Sequence, residues 1–115
     1  MTLRKRADFQ RAARAKHVAM PGFILQMRVR KDPDLAHPDG IRVGFTCSKK
    51  VGNAVARNRA KRRLREVARL ALPELGKPGR DYVLIGRKEA TAALPFTQLM
   101  ADFSTALGRL HRDPR

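Results

Sequence analysis

The chain has no tryptophan, one tyrosine and one cysteine, and aromatic residues make up only 5% of its 115 positions. A single thiol, Cys47, cannot build the disulfide framework on which small secreted domains depend. A reducing, cytoplasmic setting is therefore expected. Acidic residues are scarce as well, with 10 Asp and Glu against 26 Lys and Arg, a formal net charge of +16. No apolar run approaches the roughly 20 residues that span a bilayer. The N-terminal MTLRKRADFQRAARAKH also lacks the apolar stretch of a secretory signal. A basic amphipathic transit peptide is the alternative for that segment, and Asp8 argues against it.

Groups able to do chemistry are equally few. His17, His37 and His111 lie in separate segments, with no Cys or carboxylate at ligand spacing. Neither a zinc site nor a histidine general base is indicated, and all three read as isolated surface residues. The carboxylates fall mostly in loops, with no pair on one expected face suited to a two-metal nuclease. Cys47 falls within an apolar run that reads as a strand, where a thiol serves as a small core residue. Ser48-Lys49-Lys50 and Gly52 miss the glycine spacing of a phosphate loop. No protein active site is expected.

What the chain does have is apolar content of 43%, enough to fold, in a length that suits one core. A single domain over residues 1–115 is expected, with flexible ends at 1–6 and 111–115. A folded chain this basic needs a polyanionic partner.

Residues 7–16 are rich in helix formers. Residues 23–30 read as a strand whose second half alternates apolar and basic side chains. KDPDLAHPDG at 31–40 reads as a solvated loop. IRVGFTCS at 41–48 reads as a second strand, its continuous apolarity suggesting burial on both faces. LPELGKPGRD at 72–81 should end the following helix and form a loop, YVLIG at 82–86 is a buried strand, and Phe96, Leu99, Met100, Phe103, Leu107 and Leu110 mark a helix over 96–110. One sheet with helices packed on it buries these faces together.

The most informative segment is SKKVGNAVARNRAKRRLREVARLAL. On a wheel of about 100° per residue, Ala56, Ala60, Leu64, Val67 and Ala71 form one apolar stripe. Asn58, Arg62, Arg65 and Arg69 stand opposite, flanked by Arg59 and Lys61. Gly52 and Asn53 supply a turn and an N-cap. From Arg57 to Arg69, seven of thirteen residues are basic and only Glu66 is acidic. Such a helix repels itself unless an anion lies against it. Lys49 and Lys50 precede it, where N-terminal backbone amides also favour phosphate. Arginine can grip phosphate bidentately and stack on a base, which suits structured RNA. A second surface is suggested by Phe9, Arg11 and Arg14 on the first helix and by Arg28 and Arg30 on the strand, flanking a groove for single-stranded nucleic acid. For Phe9 and Phe23, a place in the core is the competing reading.

The run SKKVGNAVARNRAKRRLREVAR, with LRKRADFQ before it, IRVGFTCS leading into it and DYVLIGRK after it, resembles the protein subunit of bacterial ribonuclease P. The resemblance covers about residues 3–110. It implies an α+β sandwich of the ribosomal-protein type, with three helices and one mixed sheet of about four strands in the order α-β-β-β-α-β-α. His17–Met20 is the candidate for the added strand, and the parallel crossover would be left-handed. The implied function is that of an accessory RNA-binding subunit in a ribonucleoprotein endonuclease that removes the 5′ leader from precursor tRNA. Mg²⁺ would be held by the catalytic RNA, with one protein per RNA and no membrane partner. By position, Lys49, Lys50, Asn53, Arg57, Asn58, Arg59 and Arg62 would contact the catalytic RNA, and the charge pattern adds Arg69. Phe9, Lys61 and Arg65 would line the leader cleft, joined by Arg11, Arg28 and Arg30. Ala13 and Gln26 replace aromatics that family members often carry, so leader stacking should be thinner and charge should compensate. The rival readings are a ribosomal or general RNA-binding protein, a membrane-associated basic protein and an autonomous nuclease.

Overall fold

A computed structural model describes residues 2–3, 5–30 and 40–112. Helix α1 (Arg6–Ala13) is followed by strands β1 (Lys16–Met20), β2 (Phe23–Val29) and β3 (Arg42–Thr46). A single 3-10 turn (Lys49–Val51) leads into helix α2 (Ala54–Leu75). Strand β4 (Arg80–Gly86), the one-turn helix α3 (Ala90–Ala93) and helix α4 (Phe96–His111) complete the chain. The expected loop over 31–39, with His37, lies outside the described residues.

The four strands form one mixed sheet in the order β1-β2-β4-β3, antiparallel except for the β3–β4 pair. Alternation along the strands sorts side chains onto two faces. Phe23, Leu25 and Met27 of β2 and Tyr82 and Leu84 of β4 point to one face. There Leu64, Val67, Ala71 and Leu72 of α2 and Leu99, Phe103 and Leu107 of α4 close over them. Phe23 meets Phe103 edge-on, with ring centres 6.0 Å apart. The other face carries a smaller cluster of Leu3, Ala12 and Val83, with Phe9 and Ile85 packed against it.

Three expectations are corrected. IRVGFTCS supplies an edge strand, half-buried from Ile41 to Cys47 except at the buried Gly44, with Ser48 exposed. Ile41, Val43 and Phe45 meet the main core, and Thr2 and Leu3 cover part of its outer side. Helix α2 runs through Pro73 to Leu75. Pro73 donates no bond to the Arg69 carbonyl and its ring crowds that group, but it falls in the last turn, and the Gly76 N–H closes the end on the Leu72 carbonyl at 2.8 Å. Leu3 is buried and its N–H donates to the Val43 carbonyl at 2.8 Å, covering part of the β3 edge. His111 is not an isolated surface residue, because its Nε2 lies 2.7 Å from the Tyr82 hydroxyl. Of the expected C-terminal tail, residues 113–115 lie outside the described residues.

Candidate nucleic-acid interface

The entry to α2 is fixed by local chemistry. Ser48 Oγ accepts the Lys50 N–H at 3.2 Å, and Asn53 Oδ1 accepts the Ala56 N–H at 2.9 Å. Gly52 between them has φ 144°, a conformation that side chains disfavour. This geometry leaves Lys49, Lys50 and Asn53 exposed beside the first turn, with Asn58, Arg59 and Arg62 exposed on the helix itself. Arg57 is half-buried and reaches the Gly52 carbonyl at 3.4 Å.

The buried stripe of α2 is Ala60, Leu64, Val67, Ala68, Ala71 and Leu72, as the apolar spacing predicts, with Ala56 half-buried at its start. Among the described residues, the one carboxylate paired with an α2 cation is Glu66, held by Arg69 in two bonds of 3.0 and 2.5 Å. Both partners are exposed, so water and salt weaken the attraction. Arg63 leaves the basic face altogether and donates to the carbonyls of Thr91 and Ala92 at 3.0 and 2.7 Å, closing α3. Lys61 stands half-buried on the flank. Cys47, one residue beyond β3, has its thiol pushed up by burial, although Lys61 and Arg57 pull it down. A protonated, half-buried thiol is a packing group rather than a nucleophile.

The second surface is built on the sheet face that α1 crosses. The Phe9 ring lies over Gly44, where an added Cβ would sit 2.7 Å from the ring. Glycine is thus what allows the aromatic to lie flat on the strand. Phe9 is half-buried, Phe23 is fully in the core, Ala13 is exposed and Gln26 is half-buried opposite Val83.

Asp81, fully buried, organises the cations around this face. It receives Arg42 twice at 2.8 Å, Arg30 at 2.8 Å and Arg28 at 3.3 Å. Burial presses its carboxyl up, but the hydrogen bonds from Arg42 and Arg30 outweigh that and hold it below the usual range. Arg42 also reaches Asp8 in the first turn of α1 at 3.3 Å, and Arg11 approaches Asp8 at 3.4 Å. The network ties α1 to the sheet.

Of the expected leader residues, the structure gathers Phe9, Arg11 and Arg28 on this face. Arg30 is a correction: its side chain is 1% exposed and committed to Asp81 and to the Arg80 carbonyl at 2.9 Å. It is a buried structural cation because Asp81 needs neutralising there. Arg65 is not brought beside Phe9. Its guanidinium lies 5.6 Å from the centre of the Phe45 ring, and adjacent residues of a strand face opposite sides, so Phe9 and Arg65 flank β3 from its two faces. Arg65 and Arg69 border an apolar groove of about 490 Å³ between α2 and the β3 edge. The roles of Asp8 and Asp81 in holding these arginines were not legible in the sequence. The scarcity of carboxylates beside so many cations was the available signal.

Among the described residues, no three His, Cys, Asp or Glu side chains converge as metal ligands, and no helix is long and apolar enough to cross a membrane. A family model described as Ribonuclease P matches residues 1–111. The chain is 61% identical over 109 residues to the ribonuclease P protein component of Ruegeria pomeroyi, covering 95% of this chain and 85% of that one. It is 51% identical over 109 residues to the protein component of Paramagnetospirillum magneticum, covering 94% and 80%. Its fold resembles the solved RNase P protein of Thermotoga maritima, with TM-score 0.77, 26% identity and 97% and 99% of the two chains covered. It also resembles that of Staphylococcus aureus, with TM-score 0.73, 28% identity and 96% and 94% covered.

Proposed function

Because the chain belongs to the ribonuclease P protein family, as the protein subunit of the ribonucleoprotein that processes tRNA 5′ leaders beside an RNA subunit, we propose that α2 is the surface on which that RNA sits. Lys49, Lys50, Asn53, Arg57, Asn58, Arg59, Arg62 and Arg69 are the residues assigned to the RNA subunit. One observation carries the assignment: apart from the exposed Arg69–Glu66 pair, no cation of this face is ion-paired with a carboxylate among the described residues, Glu89 sharing a pocket with Arg59 without pairing to it. Backbone amides and arginine forks at a helix N-terminus suit phosphate.

Precursor tRNA is the substrate in this reading, with its single-stranded leader on the α1 side of the sheet. Phe9 offers a ring for a base to stack on, and Arg11 and Arg28 offer charge. Lys61 and Arg65, one turn apart on α2 at the other side of β3, fall to the RNA subunit or to a strand passing the sheet edge. The Mg²⁺ used in cleavage belongs to the RNA subunit, and this chain contributes positive charge that tightens substrate binding and helps the RNA keep its ions. One protein acts per RNA, in the cytoplasm.

The test is reconstitution. Purified protein added to a bacterial ribonuclease P RNA at low Mg²⁺ is expected to stimulate precursor tRNA cleavage over RNA alone. Equal rates with and without protein would refute the reading, and cleavage by RNA-free protein would relocate the active site.

A further inference from the structure

The N-terminus of α2 lies toward the Gly86 end of β4, where Asn53 and Arg59 share a pocket with Arg87. At the other end of that strand, about 20 Å away at roughly 3.3 Å per residue, four cations and the His111 imidazole converge from separate parts of the chain. Lys16 opens β1, Lys77 follows α2, Arg80 opens β4, His111 ends α4 and Arg112 follows it. They rim one concavity of about 480 Å³ with apolar side chains of β2 and α4 inside it, and no carboxylate is among the described residues that line it.

The internal bonding of this cluster is thin. Lys16 Nζ reaches only the Arg112 carbonyl, at 3.5 Å, and Arg80 spends one nitrogen on the Pro78 carbonyl at 2.8 Å. The Tyr82 hydroxyl accepts the Lys77 N–H at 3.0 Å and meets His111 Nε2 at 2.7 Å, fixing the imidazole at the rim. Burial, then the charges of Lys77 and Arg80, press His111 below its ordinary pKa. Positive charge gathered on a concave, partly apolar wall attracts an anion more strongly than the same charge spread on a convex surface.

We propose that this concavity is a second RNA site, taking a backbone phosphate at the end of the sheet remote from the α2 N-terminus. The proposal rests on the reading that RNA is the partner. The phosphate would come from the RNA subunit or from precursor tRNA. A phosphate facing His111, which also faces Lys77, Arg80, Tyr82 and, across the concavity, Lys16 and Arg112, favours the imidazolium. Binding through this site then takes up a proton and tightens as pH falls.

The experiment titrates full-length protein against the RNA subunit alone and against the RNA subunit with leader-bearing precursor tRNA, across a salt series. Replacing the two exposed lysines, Lys16→Ala with Lys77→Ala, is expected to weaken binding about tenfold or more near 0.1 M salt and to flatten the log–log salt slope by about 0.7 to 0.9, the share of one phosphate. Loss in the first titration assigns the phosphate to the RNA subunit, and loss only in the second assigns it to the substrate. His111→Gln is expected to remove the extra tightening of the parent protein between pH 8 and pH 6. Unchanged affinity and slope in both titrations, with the parent binding normally, would overturn the site while leaving the α2 reading intact. A parent protein that binds no RNA would instead overturn that reading.

Discussion

Arg57, Arg59, Arg63 and Arg65 follow one another closely in sequence yet do four different things. Arg59 stands free in solvent, Arg57 leans back on the Gly52 carbonyl, Arg63 closes α3, and Arg65 covers Phe45. Replacing Arg57 and Arg59 together with Ala should weaken assembly with the RNA subunit by about 3 to 6 kcal/mol, at about 1.5 to 3 per charged hydrogen bond. Titration of labelled RNA measures it. Arg63→Ala should instead lower thermal stability with a smaller effect on RNA affinity, since its bonds are internal. Gly44→Ala places a methyl group 2.7 Å from the Phe9 ring and must displace it. The expected result is reduced preference for leader-bearing over leaderless substrate, read from the ratio of the two dissociation constants, with RNA-subunit binding retained.

At the scale of elements, α2 was the most legible part of the chain, because a 3.6-residue period of small and branched apolar residues can be satisfied only by burying one side. Its cap was legible as well. Asn53→Ala should cost about 1 kcal/mol of stability, within the usual 0.5 to 2 for a lost N-cap, measurable by urea unfolding. Strand β3 was misread because apolarity along a strand does not say whether a neighbour will lie beside it. Val43 and Phe45 are apolar for α2, Gly44 is apolar to admit Phe9, and the outer edge stays half-open. The end of α2 was misread for a related reason, since Pro73 stops a helix only when the residues beyond it have no reason to continue one.

For the whole molecule, Asp81 is the residue on which three arginines depend. Its folded pKa lies below that of the unfolded chain, near 3.9. Its contribution is therefore present above about pH 4 and is lost as pH falls through the lowered folded value. Acid unfolding should show this loss, and Asp81→Ala, which strands Arg30 in the interior, should cost about 3 to 5 kcal/mol at neutral pH. Charge acts at this scale too. If about five leader phosphates are neutralised, log affinity for a leader-bearing substrate should fall against log salt with a slope steeper by about 3.5 than for a leaderless one, at roughly 0.7 per contact. Equal slopes and affinities would exclude a leader site.

Composition and period, by themselves, settled the excess of positive charge, the basic helix with its dry stripe and cap, and the order of most elements. These are properties of local spacing, and spacing survives in a linear string. Which cations remain available was decided only by tertiary structure. Arg28, Arg30 and Arg42 converge on one buried carboxylate, while Lys16, Lys77, Arg80, His111 and Arg112 meet across a concavity without one. The physical reason is that a charge is defined by its neighbours in space, and the sheet brings together residues that the chain keeps far apart.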